Sequence, residues 1–309
     1  MSRWSRMEKK LLPNFSANRR LKEKEEERPV TVQVNATAPT RLYDAYIVNL
    51  PATLSRTDTL VSGVDKVIES LRTMRRPVYF MSSNSHINPA DYRDALAKMG
   101  LEVKLDEIFT PSRVAVEYLR QRRPHAKVFA IGSDGFIQYL KEAGITLSND
   151  PNEITVVLVA HDRNFNFEKL SIAFQALIEG PPTDLVTTSM VMSWPNSSVR
   201  GMEPGTGALV EAISQAAGVP VTVNLGIPER GFVDSIFSHI NADPERVLLV
   251  SDALNLNIRM AREHGMETAL LISSDTNLKE LAAADLEDQP HFVVDSLAKI
   301  LPTYIMSQL

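Results

Sequence analysis

At 309 residues the chain is long enough for one large domain or two ordinary ones. Its 44% hydrophobic and 23% charged residues read as globular, and a formal net charge of −5 argues against a nucleic-acid-binding body. The absence of cysteine excludes disulfides, thiolate catalysis and zinc–thiolate sites. The histidines (His86, His125, His161, His239, His264, His291) include no pair at helical ligand spacing, so they read as surface or packing residues. No apolar run reaches transmembrane length, and no membrane span is expected.

The charge is uneven along the chain. Residues 1–30 hold nine Lys or Arg against five Asp or Glu, and up to Lys22 the only acid is Glu8. With Trp4, Met7, Leu11 and Leu12 set among the bases, the tail resembles a mitochondrial targeting segment. Mitochondrial localisation is therefore the expectation, with a cytoplasmic protein carrying a solvated helical arm as the alternative. A tail of this kind also suits attachment to the protein subunits of a larger complex, and its bases suit contact with RNA. Residues 30–40 read as an extended linker.

Ala45–Leu50 is a short, mostly apolar run that stops at Pro51, the pattern of a buried parallel strand delivering a loop to a sheet edge. A helix is expected over 60–74, with Leu60, Val64, Val67, Ile68 and Leu71 on one face. Pro77 breaks it, and Val78–Met81 is a second strand ending in Ser82-Ser83-Asn84-Ser85. Pro89 opens a helix that stops at Gly100, and another helix covers 111–122. From 126 onward the alternation continues with strand 127–131, helix 134–143, strand 155–160, helix 167–177, strand 184–188, helix 206–217 and strand 221–225. Helix 229–240, strand 246–250, helix 255–264, strand 267–272, helix 276–283, strand 291–294 and a C-terminal helix to about 307 complete the chain. Such alternation implies right-handed crossovers and a largely parallel sheet.

Three stretches carry a family resemblance. Asn49-Leu50-Pro51-Ala52-Thr53-Leu54 stands where haloacid-dehalogenase-like phosphatases end a strand with Asp-x-Asp-Gly-(Thr/Val)-Leu. Val159-Ala-His-Asp-Arg-Asn-Phe-Asn-Phe-Glu-Lys-Leu170 and Glu203-Pro-Gly-Thr-Gly-Ala-Leu209 resemble the branch of phosphoglycolate, pyridoxal-phosphate and 4-nitrophenyl-phosphate phosphatases. The resemblance covers about 42–300. It implies an α/β fold with a doubly wound, mostly parallel Rossmann-like core and an inserted α/β cap domain. The boundaries expected are 1–41 for the extension and linker, 42–125 and 222–309 for the core, and 126–221 for the cap.

The same resemblance implies four catalytic loops, and here their charges are missing. Asn49 stands for the attacking aspartate, and a carboxamide is a poor nucleophile. Pro51 stands for the proton-carrying aspartate and has nothing to titrate. Ser82 and Asn84 match the second loop, as phosphoryl ligands or as caps of the following helix. Gly226-Ile227-Pro228 replaces Gly-Lys-Pro, so Ile227 stands for the lysine. Val250-Ser251-Asp252 keeps one aspartate, while Asn257 replaces another. In the cap, Ser189 and Val191 replace an asparagine and an aspartate.

Removing one transition-state donor costs about 2.7–4 kcal/mol, so several such losses predict a catalytically inactive scaffold subunit, a pseudoenzyme. Ser82, Asn84 and Asp252 are the expected ligand-binding residues, and magnesium binding is expected to be lost, with Asp252 its last ligand. The alternatives are a non-catalytic metabolite-binding module and a phosphatase with unconventional catalytic residues.

Overall fold

Strand β1 (Ala45–Asn49) is buried along its whole length, as its unbroken apolar run requires of a strand covered on both faces. The computed structural model describes residues 38–50, 54–56, 59–85, 87–196, 201–272, 275–285 and 288–306. The basic extension, Pro51 and His86 therefore lie outside the described residues. After β1 come the short antiparallel pair β2 (Ser55–Arg56) and β3 (Thr59–Leu60). Helix α1 (Val64–Thr73) turns Val64, Val67, Ile68 and Leu71 inward. Each apolar side chain buried there contributes roughly 1.5–3 kcal/mol of transfer free energy.

The expected start of α1 at residue 60 is corrected. Gly63 sits at φ 82 and ends the helix on its N-terminal side, which leaves Leu60 to pair in β3. Next come β4 (Val78–Met81), α2 (Pro89–Lys98), β5 (Ile108–Phe109) and α3 (Pro111–Arg122). Both helices start on a side-chain cap followed by proline: Asn88 accepts from Ala90 and Asp91, and Thr110 accepts from Arg113.

The middle of the chain supplies β6 (Val128–Ile131), α4 (Asp134–Glu142), β7 (Val156–Val159), α5 (Phe167–Ile178) and β8 (Asp184–Thr187). The hairpin β9 (Ser193–Asn196) and β10 (Gly201–Pro204), α6 (Thr206–Ala217) and β11 (Val223–Asn224) follow. The hairpin carries Pro195 and Pro204, and proline argues against a strand in sequence. The last third gives α7 (Arg230–Phe237), β12 (Val247–Ser251), α8 (Arg259–Glu263), β13 (Glu267–Leu271), α9 (Asp275–Ala283), β14 (Phe292–Val294) and α10 (Thr303–Met306). The helix expected over 255–264 divides, because Leu254–Ile258 forms a π-helical turn ahead of α8.

Two parallel sheets result. The larger has the order β14-β13-β12-β1-β4-β5, and the smaller, formed within residues 128–224, has the order β11-β8-β7-β6. Chain order reverses direction at β1: the chain moves to β4 on one side and to β12 on the other. Ligands of open α/β sheets bind beyond the carboxyl ends of the strands at such a switch point. The opposite, amino end is pinned by Asp44, whose carboxylate accepts from Arg246 and, at 2.6 Å, from Arg76. From residue 38 onward the described residues form one compact unit, and one buried apolar cluster runs from Ile47 and Met81 in the large sheet to Val156 and Leu158 in the small one.

Candidate active site

The register of β1 sets the site. Val48 lies opposite Val250 and Asn49 opposite Met81, so the residues that end β1, β4 and β12 meet at one level. Asn49 is buried, and its Nδ2 donates to Oδ1 of the part-buried Asp252 at 3.3 Å. Asp252 stands just past β12, where the π-helical turn begins to form. Asn257, in that turn, is 1% exposed and donates from Nδ2 to Ser251 Oγ at 3.0 Å. π-Turns recur at functional sites because the extra residue re-aims a side chain.

The bond to Asp252 also sets the way the Asn49 amide faces. Turning Asn49 over would point its carbonyl oxygen at the Asp252 carboxylate, which repels it. Asn49 Oδ1 and Asn257 Oδ1 are left buried with no hydrogen-bond partner. An unmet buried acceptor costs roughly 1–3 kcal/mol, a cost that a ligand at the site would remove. Among the described residues no three His, Asp or Glu side chains gather as a metal site. The fit to a cation therefore rests on oxygen: one carboxylate and two unfilled amide carbonyls are hard donors of the kind magnesium or calcium takes.

Ser82 is 1% exposed at the end of β4. Its Oγ lies 2.7 Å from Tyr92 Oη and accepts from Asn84 N at 3.1 Å. The capping alternative for these residues is corrected, because Asn88 is the residue that caps α2. Burial pushes the Tyr92 hydroxyl up to about 12, so it stays protonated beside Ser82. Asn84 is half-buried on the same loop. Ile227 is 4% exposed and belongs to the apolar cluster, so its side chain fills core where a lysine was expected. Pro51 lies outside the described residues. The structure thus bonds Asn49 to Asp252 and Asn257 to the neighbouring Ser251, with Ser82 and Asn84 on the next loop.

Sequence reasoning missed what stands above that loop. Ser85 Oγ accepts from the backbone N–H of His161 at 3.3 Å, joining the second loop to the smaller sheet's carboxyl edge. The His161 ring lies 4.6 Å from Trp194, whose Nε1 donates to Glu203 at 2.6 Å, and Arg163 also pairs with Glu203. Burial holds the His161 imidazole below its ordinary value, toward the neutral form. Asp162, 4% exposed, takes Lys169 Nζ at 2.6 Å. Both members of that pair lie in the motif quoted above, which was the available signal. Ser189 accepts from Val191 N at 3.1 Å, so its hydroxyl closes its own turn.

Comparison with known proteins agrees with this architecture. Residues 47–146 match the family model for haloacid dehalogenase-like hydrolases, and residues 224–300 match a HAD-hydrolase-like one. The chain is 31% identical over 258 residues to chronophin from Bos taurus, which covers 78% of this chain and 86% of that one. It is 25% identical over 262 residues to the 5'-nucleotidase YutF of Bacillus subtilis, covering 85% of this chain and 99% of that one. It is 27% identical over 226 residues to an acid sugar phosphatase of Staphylococcus epidermidis, covering 73% and 85%. The p-nitrophenyl phosphatase from Archaeoglobus fulgidus shares the fold, with a TM-score of 0.76 at 24% identity over 87% of this chain and 100% of that one.

These relatives overturn the expectation of an inactive scaffold or ribonucleoprotein subunit, since they are named as phosphatases and a nucleotidase. The physical reason is that counting absent charges gave no weight to geometry. The strand ends still deliver Asn49 against Asp252, and the buried amide oxygens of Asn49 and Asn257 are without a hydrogen bond. The expected loss of magnesium falls on the same ground, because the family resemblance implies magnesium and the oxygen donors present fit it. With a relative 31% identical across most of both sequences, this chain belongs to the haloacid dehalogenase-like hydrolase family.

Proposed function

We propose that the chain is a phosphomonoester hydrolase working with unconventional residues at the carboxyl edge of its larger sheet. The observation that carries this reading is the Asn49–Asp252 contact at the switch point, 3.3 Å long, in a chain similar to a sugar phosphatase and a nucleotidase. The Asn49 carboxamide is neutral and a poor nucleophile, so the attacking group is water rather than a side chain. Asp252 is the base: Asn49 Nδ2 orients its carboxylate, which takes the water's proton as oxygen bonds to phosphorus. The bond from phosphorus to the ester oxygen breaks, and that oxygen is protonated from solvent, giving an alcohol and inorganic phosphate. Asn49 Oδ1 and Asn257 Oδ1, beside the Asp252 carboxylate, are the oxygens that would hold a divalent cation, which would supply positive charge for the phosphoryl oxygens.

Pro51 offers no acid for the leaving group, so the rate depends steeply on how good a leaving group the ester carries. Phosphate release from 4-nitrophenyl phosphate is expected to outrun release from sugar phosphates and nucleoside monophosphates. Asp252→Asn is expected to lower the rate by about 10²–10⁴-fold, the usual share of a general base. Release of phosphate no faster than in buffer, for every ester tried with the full-length protein and magnesium, would defeat the proposal.

A further inference from the structure

We infer that a recess on the open edge of the smaller sheet binds a nucleoside, with the base on the backbone of Ala130 and the sugar hydroxyls on Asp134 and Glu168. Strand β6 is the outer strand of that sheet, in the order β11-β8-β7-β6. Lys127 and Ile131 turn their carbonyls toward β7, where they accept from Val156 and Ala160. Backbone groups alternate along a strand, so Val128 and Ala130 turn theirs outward. Those of Val128 are filled: its N–H donates to Thr146 O at 2.9 Å, and its C=O accepts from Ser148 N at 3.0 Å. Two residues on, no strand among the described residues pairs with that side of β6. One donor and one acceptor of Ala130 therefore stand side by side on an open edge.

The recess beside Ala130 measures about 470 Å³, the size of a small-molecule pocket. Its walls come from opposite faces of the sheet. Ile137 on α4 packs with the cluster that holds Val128 and Leu158, and Ile172 on α5 packs with the one that holds Phe129 and Val157. A flat ring lying in the plane of the sheet thus has an apolar side chain over each face while its edge meets Ala130. Nucleobases carry a donor next to an acceptor on such an edge. Leu147, bridged to Val128, stops the recess at the amino end of β6, so a ring fits where a long added strand does not. Asp134 and Glu168, exposed in the first turns of α4 and α5, line the other end, and carboxylates accept from sugar hydroxyls. Lys141 lines the amino end from the last turn of α4, and Lys169 spends its amine on Asp162 at 2.6 Å. No residue of this recess belongs to the loops of the larger sheet, so the inference stands apart from ester hydrolysis.

Calorimetry on the full-length protein with adenosine tests this without reference to turnover. Adenosine is expected to bind saturably. Adenosine dimethylated on its exocyclic amine has lost the donor of that edge and is expected to bind about tenfold more weakly. Free adenine, without the sugar, is also expected to bind more weakly. Ala130→Pro removes the outward N–H at a place where an edge strand tolerates proline, and is expected to weaken adenosine by about tenfold. Should that variant melt early by circular dichroism, Ile137→Glu gives the same readout by putting a charge in one wall. Saturating inorganic phosphate is expected to leave the adenosine isotherm unchanged. No saturable binding of adenosine, equal binding of the dimethylated analogue or of adenine, or full affinity in both variants overturns the inference. Displacement of adenosine by phosphate does so too, since it would put the nucleoside at the edge of the larger sheet. Ester hydrolysis without adenosine binding would leave the functional reading standing and remove this one. Adenosine binding of the expected pattern with no hydrolysis of any ester would do the reverse.

Discussion

The single residue that looked most ambiguous, Ser82, is fixed by a partner ten positions away. Its hydroxyl is shared between the buried Tyr92 Oη and the Asn84 backbone. Ser82→Ala removes the partner of a buried phenol and is expected to cost about 1–3 kcal/mol in urea unfolding. Tyr92→Phe removes the donor and acceptor on the other side and is expected to cost about 0.5–1.5 kcal/mol. The double change should cost less than the sum, because the second substitution finds nothing left to break. Strict additivity would show that the pair does not act as a unit. Asn49 illustrates the same limit on reading residues alone. Its identity announced a lost nucleophile, and only its placement shows an amide oriented by one carboxylate with its oxygen left over.

Among elements, the crossing from β11 into Gly226 shows why some positions admit one residue. Leu225 N donates to Thr187 O at 2.8 Å, and the chain then passes so close to the end of β8 that a Cβ on Gly226 would lie 2.2 Å from Thr188 O. Backbone on both sides leaves nothing to yield. Gly226→Ala is expected to destabilise by about 1–3 kcal/mol, seen as a lower urea midpoint with an unchanged slope. A neutral result would mean that β11 can shift without cost. A Cβ on Gly205 would lie 2.2 Å from Val191 O and one on Gly207 2.4 Å from Met190 O, so three of the glycines in the recognisable motifs serve close approach. Helix caps at Asn88, Thr110, Ser133 and Asn166 are local Ser, Thr or Asn residues, yet in sequence the cap expected for α2 fell at Ser82 and Asn84 instead. The β9–β10 hairpin and the π-turn were not legible in sequence, because proline content and helical periodicity pointed elsewhere.

At the scale of the whole molecule, the smaller sheet meets the loop at the carboxyl edge of the larger one through Ser85 and the His161 backbone, with the His161 ring against Trp194. Burial lowers the pKa of that ring from its ordinary 6.5, so the unfolded chain takes the proton first. Stability is therefore full above about pH 6.5 and falls as the pH drops from there through the folded-state value. Melting temperatures between pH 7.5 and 5 are expected to decline, and His161→Gln to flatten the decline; an equal slope in the variant would remove His161 as its cause. Alternating apolar runs and the quoted motifs were enough to give the α/β class and the family, since each is written over a few neighbouring positions. The bonded group of Asn49 and Asp252, 203 residues apart, arises only when β1 and β12 pair in one register. Which polar atoms are filled and which are left over depends on that packing, and no local period in a sequence records it.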